Sequence, residues 1–134
     1  MAGHENMLVY QRLRNRQIEA LELASSWPSQ REYQQNTPSV SVTNEVINQW
    51  DDVFDDTAFC FPKPIYTKSE EIALREYSRA LTDVSRRTRN PLPELSAAIA
   101  LSAWEDLRKA AQMALNVMMV RGRFSEDALI EDAD

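Results

Sequence analysis

Residues 92–121 carry a helical repeat with an unusually wide apolar face, and this face constrains the fold more than any other part of the sequence. At 100° per residue, its apolar side chains cover roughly 200° of the helix circumference. They are Ile99, Leu101, Ala103, Trp104, Leu107, Ala110, Ala111, Ala114, Leu115, Val117, Met118 and Met119. A face this wide must pack against more than one neighbour, so the pattern predicts the central helix of an all-α domain.

Three more helices are predicted before this one, over residues 5–26, 43–57 and 67–90, where apolar side chains recur at helical spacing. Pro28 is expected to end the first helix, and Thr67 with Glu70 matches the capping box that begins the third. Only 2 glycines occur among 134 residues, which leaves few positions for hairpin turns or phosphate-binding loops. The predicted fold is therefore all-α, a single-domain bundle of four principal helices with a long, central C-terminal helix.

The segments outside these helices are predicted from composition. Residues 28–42 are rich in Ser, Gln, Pro and Asn, which is typical of a surface loop. Gly122 stands where a glycine commonly ends a helix. We therefore expect a helical domain over 1–123, followed by an acidic, frayed stretch over 124–134.

The net charge of −6 is unevenly distributed. Residues 43–62 hold 5 acids and no base, residues 63–123 hold 7 acids and 11 bases, and residues 124–134 hold 5 acids and no base. Such a chain suits a protein that meets charged macromolecules, although pairing between the blocks would give the same pattern. No apolar run approaches the length of a membrane span or a signal peptide, and Cys60 is the single cysteine. A cytoplasmic location without a membrane partner is predicted.

Four aspartates on the predicted second helix form the first candidate site. Asp51 and Asp55, and likewise Asp52 and Asp56, are like-charged pairs at i,i+4, which destabilise a helix unless a cation lies nearby. Three interpretations remain open at this point: a solvated acidic face, a docking site for a basic partner or for the chain's own arginines, and a divalent metal site.

A row of arginines on the predicted third helix forms the second candidate. Arg75, Arg79, Arg86 and Arg89, with Thr82 between the second and third, follow one exposed edge at steps of three and four residues. Guanidinium groups at this spacing could bind phosphates or carboxylates in bidentate fashion. Pairing with acids on the same helix is the alternative, and it stabilises a helix by only a few tenths of a kcal/mol per pair.

Metal-dependent catalysis is the least favoured of the functions that the sequence allows. Together with the pairs Glu19/Glu22 and Glu70/Glu71, the aspartates resemble in outline the paired acidic motifs by which all-helical nucleotide pyrophosphohydrolases hold Mg²⁺. That resemblance would imply a nucleotide phosphohydrolase. The chain lacks the family's Glu-Glu-x-x-Glu followed by a distant Glu-x-x-Asp, because Glu70-Glu71 is followed by Ala73, Leu74 and Arg75, and Glu76 is out of place for the motif.

No catalytic residue, metal site or cofactor is predicted. His4 is the only histidine and lies near the start of the chain, so a Ser-His or Cys-His pair would depend on a frayed base. Cys60, between two phenylalanines, is expected to be a small buried hydrophobe. We therefore predict that the chain is not an enzyme.

The function predicted is a small acidic helical protein that binds a cationic protein partner, as immunity proteins, antitoxins and inhibitors do. Trp27 or the segment 59–66 could supply an apolar anchor beside the aspartates. Two alternatives remain: nucleic-acid binding through the arginine row, and a homo-oligomer assembled through the last helix, where Met113, Met118 and Met119 cluster.

Overall fold

The computed structural model describes residues 4–88 and 91–130, and six helices occur in that part of the chain. They are α1 His4–Ala24, α2 Trp27–Asn36, α3 Val42–Val53, α4 Lys68–Arg87, α5 Leu95–Ile99 and α6 Ser102–Met118. No strand is found among these residues. The predicted all-α, single-domain fold is confirmed, whereas the number of helices exceeds the predicted four.

Helix α6 lies at the centre of the fold, where it packs along α4 and against α1. Glu70 at the start of α4 meets Arg121 just after α6, and Arg87 at the end of α4 meets Asp106 in the first turns of α6, so the two helices run antiparallel. Trp104 and Met118 are buried at opposite ends of α6. None of the described helices combines the length and apolar content needed to cross a membrane.

The predicted continuous helix over 92–121 is divided into α5 and α6. Leu101 adopts an extended backbone conformation (φ −85°, ψ 139°) and interrupts the helical ladder. Helix α5 packs against α2 and α3, whereas α6 packs against α1 and α4. Because one straight helix could not follow both sets of neighbours, the chain bends at Leu101, whose side chain is exposed instead of buried.

Residues 28–42 do not form the predicted loop, because most of this stretch belongs to α2. Ser26 caps the helix, since its hydroxyl accepts a hydrogen bond from the Ser29 N–H at 3.2 Å. Pro28 lies in the first turn, where a missing N–H costs nothing. The buried Gln30 amide donates to the carbonyls of Leu23 and Ala24 and ties α2 to the end of α1.

Helix α3 is shorter than predicted and ends at Val53, not at residue 57. Phe54 is extended (φ −149°, ψ 131°) and buried, so it turns the chain into the core. The helix is capped by Ser41, while Thr43 is buried and donates to the Pro93 carbonyl at 2.9 Å. At the start of α4, the predicted capping box of Thr67 and Glu70 is confirmed.

The expected frayed stretch is instead held on α1 over residues 124–130. Asn15 accepts from the Phe124 N–H at 3.0 Å and donates to the Phe124 carbonyl at 2.8 Å. Gln11 accepts from the Ile130 N–H at 2.9 Å. Buried polar side chains on α1 therefore fix this segment, which compositional analysis could not anticipate.

Candidate partner-binding site

The four aspartates lie at the C-terminal end of α3 and just beyond it, and we name them the aspartate edge. Asp51 and Asp52 occupy the last turn of the helix, and Asp55 and Asp56 follow it. All four are exposed. The predicted i,i+4 pairing along one helix face is wrong, because the helix ends before Asp55.

The aspartate edge is electrostatically unfavourable for the chain itself. The C-terminal end of a helix carries partial negative charge on its free carbonyls, so Asp51 and Asp52 stand where acidic side chains destabilise. Partial burial raises the pKa of Asp51, and the charges of Asp52 and Asp56 raise it further. By contrast, the backbone N–H and hydroxyl of Thr57, both at 2.9 Å, lower the pKa of Asp55.

None of the four carboxylates of the aspartate edge forms an ion pair with a described residue, although the Arg75 guanidinium donates to the main-chain carbonyl of Asp56. Eight other acids in the same part of the chain are paired. They are Glu19, Glu22, Glu70, Glu71, Asp83, Glu105, Asp106 and Glu126. Negative charge is therefore concentrated at the end of α3, on carboxylates that form no ion pair with the described residues.

We expect the Asp51→Asn substitution to raise the free energy of unfolding at pH 7 by a few tenths of a kcal/mol. It removes one negative charge that is repelled both by the neighbouring aspartates and by the C-terminal end of the helix. Since the pKa of Asp51 is raised in the folded state, the ionised group opposes folding, and the gain should fade as acid protonates it. Urea unfolding at pH 7 and pH 4 measures both effects. Glu32→Gln, on exposed α2, is the control, and an equal gain from it would contradict this explanation.

Two grooves flank Phe54, the buried residue that lies between the two aspartate pairs in the chain. One, of about 450 Å³, runs between α3 and α4, and the other, of about 230 Å³, runs between α1 and α3. Asp51, Phe54 and Asp55 line both. Each groove thus offers carboxylates beside an aromatic ring, which suits the apolar stem and charged head of a lysine or arginine.

Aromatic packing holds this region in place. The Phe54 ring stacks on Trp50 at 5.1 Å and lies 5.4 Å from Phe59 and 5.7 Å from Phe61. Phe61, Ile65 and Tyr66 are buried in the core, so within segment 59–66 it is the half-buried Phe59, which lines the α1–α3 groove, that could still serve as the anchor the sequence suggests. Packed aromatic rings restrict side-chain motion, and the edge therefore projects from a fixed support.

Cys60 and Trp27 do not have the environments that the sequence predicts. Cys60 is exposed, not buried, and its Sγ lies 3.1 Å from the Tyr10 hydroxyl. Trp27 is half-buried, with the Arg108 guanidinium 5.3 Å from its ring centroid. Neither residue lines the grooves beside the aspartate edge.

The arginine row is partly used within the chain. Arg75 donates to Glu71 and to the Asp56 carbonyl, both at 3.2 Å, and its guanidinium lies 4.8 Å from the Phe61 ring centroid. Arg79 and Arg86 are exposed on α4 and form no ion pair with a described residue. Arg89 lies outside the described residues. In the described part of the row, two arginines remain available for an anion.

The methionines of the last helix do not form one surface. Met118 is fully buried, whereas Met113 is 66% exposed and Met119 is 45% exposed. Assembly through α6 would therefore depend on Met113 and its neighbours and exclude Met118.

A buried ion network, which sequence reasoning missed, joins three parts of the chain. The fully buried Arg14 on α1 donates two hydrogen bonds of 2.9 Å to the Glu70 carboxylate, and Arg121 donates two more at 3.1 and 2.5 Å. Burial alone would raise the pKa of Glu70, but hydrogen bonds from Arg121, Arg14 and the Thr67 N–H outweigh it and lower the pKa. The signal in the sequence is Arg14 four residues before Ile18, on the apolar side of α1.

The network also bears on the metal interpretation, because Glu70 is fully engaged by two arginines. Among the described residues, no group of three or more His, Cys, Asp or Glu side chains is arranged so that it could hold a metal ion. The aspartates and Glu70-Glu71 therefore do not converge on one site.

Comparisons of the chain with protein-family models, with curated proteins and with solved structures find no match. The function of this chain must therefore be inferred from its own geometry and charge.

Proposed function

We propose that this chain is a small acidic binding protein whose aspartate edge engages a cationic protein surface, as immunity proteins, antitoxins and inhibitors do. The observation that supports the proposal is the group of four exposed aspartates without an ion pair to any described residue, two of which, Asp51 and Asp52, lie in the last turn of a helix whose end repels negative charge. A bound cation would relieve this repulsion, so the feature that costs stability in the free chain would favour the complex.

Electrostatic steering is the mechanism we infer. Clustered like charges on one surface raise association rates by factors of 10 to about 10³ at low salt, and the effect weakens as salt screens them. Most arginines and lysines of α4 and α6 are already paired with neighbouring acids, as Arg87 is with Asp83 and Asp106. The field of the aspartate edge is therefore opposed by few nearby cations.

The grooves give the proposed contact its short-range part. On the α3–α4 side, Ile47 and Leu81 add apolar surface to Phe54, while Asp51 and Asp55 lie beside it. A basic side chain could bury its methylene stem there and place its charge at the carboxylates. We therefore expect arginine or lysine residues of the partner to flank Phe54.

A charge-reversal pair tests the proposal. Asp51→Lys with Asp55→Lys should lower the affinity for a fluorescent nona-arginine peptide at least tenfold at low salt, measured by anisotropy. Glu32→Lys with Glu76→Lys makes the same change in net charge on exposed positions away from the edge, and should cost much less. Each variant should also be used as bait for cross-linked partners, and the authentic partner should be lost only from the aspartate-edge variant.

Equal losses in both double variants would show that net charge alone acts, and would contradict a site at the end of α3. A duplex DNA probe in the same titration separates this function from nucleic-acid binding. Retention of DNA that disappears on Arg79→Ala with Arg86→Ala would favour the arginine row instead.

A further inference from the structure

The segment 123–130 lies on α1 as a bound peptide would, with its main chain held by side chains of the helix. Gln11 donates to the carbonyls of Ser125 and Ala128 at 2.8 and 2.9 Å and accepts from the Ile130 N–H. Asn15 binds both main-chain groups of Phe124. Each amide side chain thus replaces the hydrogen bonds that a neighbouring strand would provide.

Side chains of the segment add an aromatic and an acidic contact. The Phe124 ring lies 4.2 Å from the Arg14 guanidinium, a distance at which a cation and an aromatic ring attract. The Glu126 carboxylate accepts from Arg16 at 2.5 Å and from Asn15 at 3.1 Å. Helix α1 is therefore a built site for a segment that carries an aromatic residue and, two positions later, an acid, and that bends at residues 126–128.

Gly122 connects this segment to α6. Its φ of +75° is one that residues with a side chain rarely adopt, and it turns the chain from the end of α6 towards α1. A Cβ at this position would meet only the Met119 Cε, at 3.9 Å. The backbone angle, not space, is thus what requires glycine here.

From this geometry we propose that segment 123–130 exchanges between two copies of the chain, so that α1 of each copy holds the segment of the other. The hydrogen bonds and ring contacts of residues 123–130 with α1 would be the same in either arrangement. The conformation at Gly122, the hydrogen bond from Arg14 to the Gly122 carbonyl and the chain concentration therefore decide between them. If residue 122 takes helical angles, α6 continues and carries the segment away from its own α1. This inference does not involve the aspartate edge.

Two complementary variants test the exchange. Arg16→Glu and Glu126→Arg each set like charges against one another within a single chain. In a mixture, exchange pairs each altered residue with a residue of opposite charge on the other copy. Light scattering during gel filtration, at about 1 mM chains to match the effective concentration of a short linker, should give twice the 15.4 kDa of one chain for the mixture. Either variant alone should give one chain's mass.

The chain that carries both changes is the control, because pairing within one copy is restored and it should behave as the unaltered protein does. A second test needs no charge change: Gly122→Ala, which disfavours a positive φ, should raise the dimer fraction severalfold, whereas Gly122→Asn, which tolerates it, should not. The proposal would be overturned if the mixture of Arg16→Glu with Glu126→Arg stayed monomeric and Gly122→Ala stayed monomeric too, while circular dichroism showed that all these variants were helical. A mixture no more dimeric than its separate components would also overturn it.

Discussion

Replacement of Glu70 by glutamine should lower the free energy of unfolding by about 3–5 kcal/mol, the range found when one partner of a buried ion pair is removed. Glu70 is 2% exposed and receives hydrogen bonds from Arg14 and Arg121. Without the carboxylate, the fully buried Arg14 guanidinium would keep its charge and lose its counter-ion. Since domains of this size are stable by only about 5–15 kcal/mol, the loss would be a large fraction of the total.

The neighbouring glutamate supplies a matched control. Glu71 pairs with Lys68 and Arg75 on the surface of α4, where ion pairs contribute about 0–1 kcal/mol. Urea unfolding of Glu70→Gln and Glu71→Gln, followed by circular dichroism, compares the two directly. Similar small losses in both variants would show that the buried network contributes no more than a surface pair.

The pH dependence of unfolding gives the same substitution a second readout. The pKa of Glu70 is lowered in the folded state, so as pH falls below the ordinary glutamate value of about 4.3 the unfolded chain takes up the proton first. The stability contributed by Glu70 is therefore complete above that value and is lost as pH falls towards the lower folded pKa. In Glu70→Gln this part of the acid sensitivity should disappear.

Features that depend on neighbours in the sequence could be predicted. The capping box at Thr67 and Glu70 is a contact between residues three apart, and it is found where the pattern places it. The central position of the last helix follows from the width of its apolar face, which no single neighbour could cover. The acidic residues at 51–56 were also identified, because charge can be counted without knowledge of the fold.

Features that depend on distant partners could not be predicted. Gln17 interrupts the apolar face of α1 in the sequence, yet it is buried because it accepts from the Tyr66 hydroxyl at 2.7 Å and donates to the Val53 carbonyl at 2.9 Å. Pro28 is compatible both with the end of one helix and with the start of the next, and only the packing of Gln30 against α1 favours the second. Local pattern cannot distinguish such cases.

The same limit explains what was missed at the candidate site. Helical periodicity continues through Phe54, so the sequence extends α3 over all four aspartates. The end of the helix is set by the burial of Phe54 among Trp50, Phe59 and Phe61. Phe59 and Phe61 lie beyond the helix, so helical periodicity does not reveal their contact with Phe54. As a result, the residues of the aspartate edge were found, but their position at a helix end was not.

Replacement of Trp50 by alanine should lower the free energy of unfolding by about 3–5 kcal/mol, as is typical when a large core side chain is truncated. Trp50 is 1% exposed, stacks on Phe54 and meets Tyr77 edge-on at 4.8 Å. The cavity would open directly beneath the aspartate edge, so the substitution should also weaken binding to the basic peptide. Trp27→Ala, at a half-buried position, should cost much less.

A phenylalanine at the same position separates packing from hydrogen bonding. The Trp50 Nε1 is buried without a hydrogen-bond partner among the described residues, and a buried unsatisfied donor costs about 1–3 kcal/mol. Trp50→Phe loses volume but also removes that donor, so we expect it to be clearly less destabilising than Trp50→Ala and to retain most of the stack on Phe54. Urea unfolding of the three variants ranks them. If Trp50→Phe lowered the free energy of unfolding as much as Trp50→Ala does, the indole N–H would have a hydrogen-bond partner in solution, and that hydrogen bond would contribute to stability beside the packing of the ring.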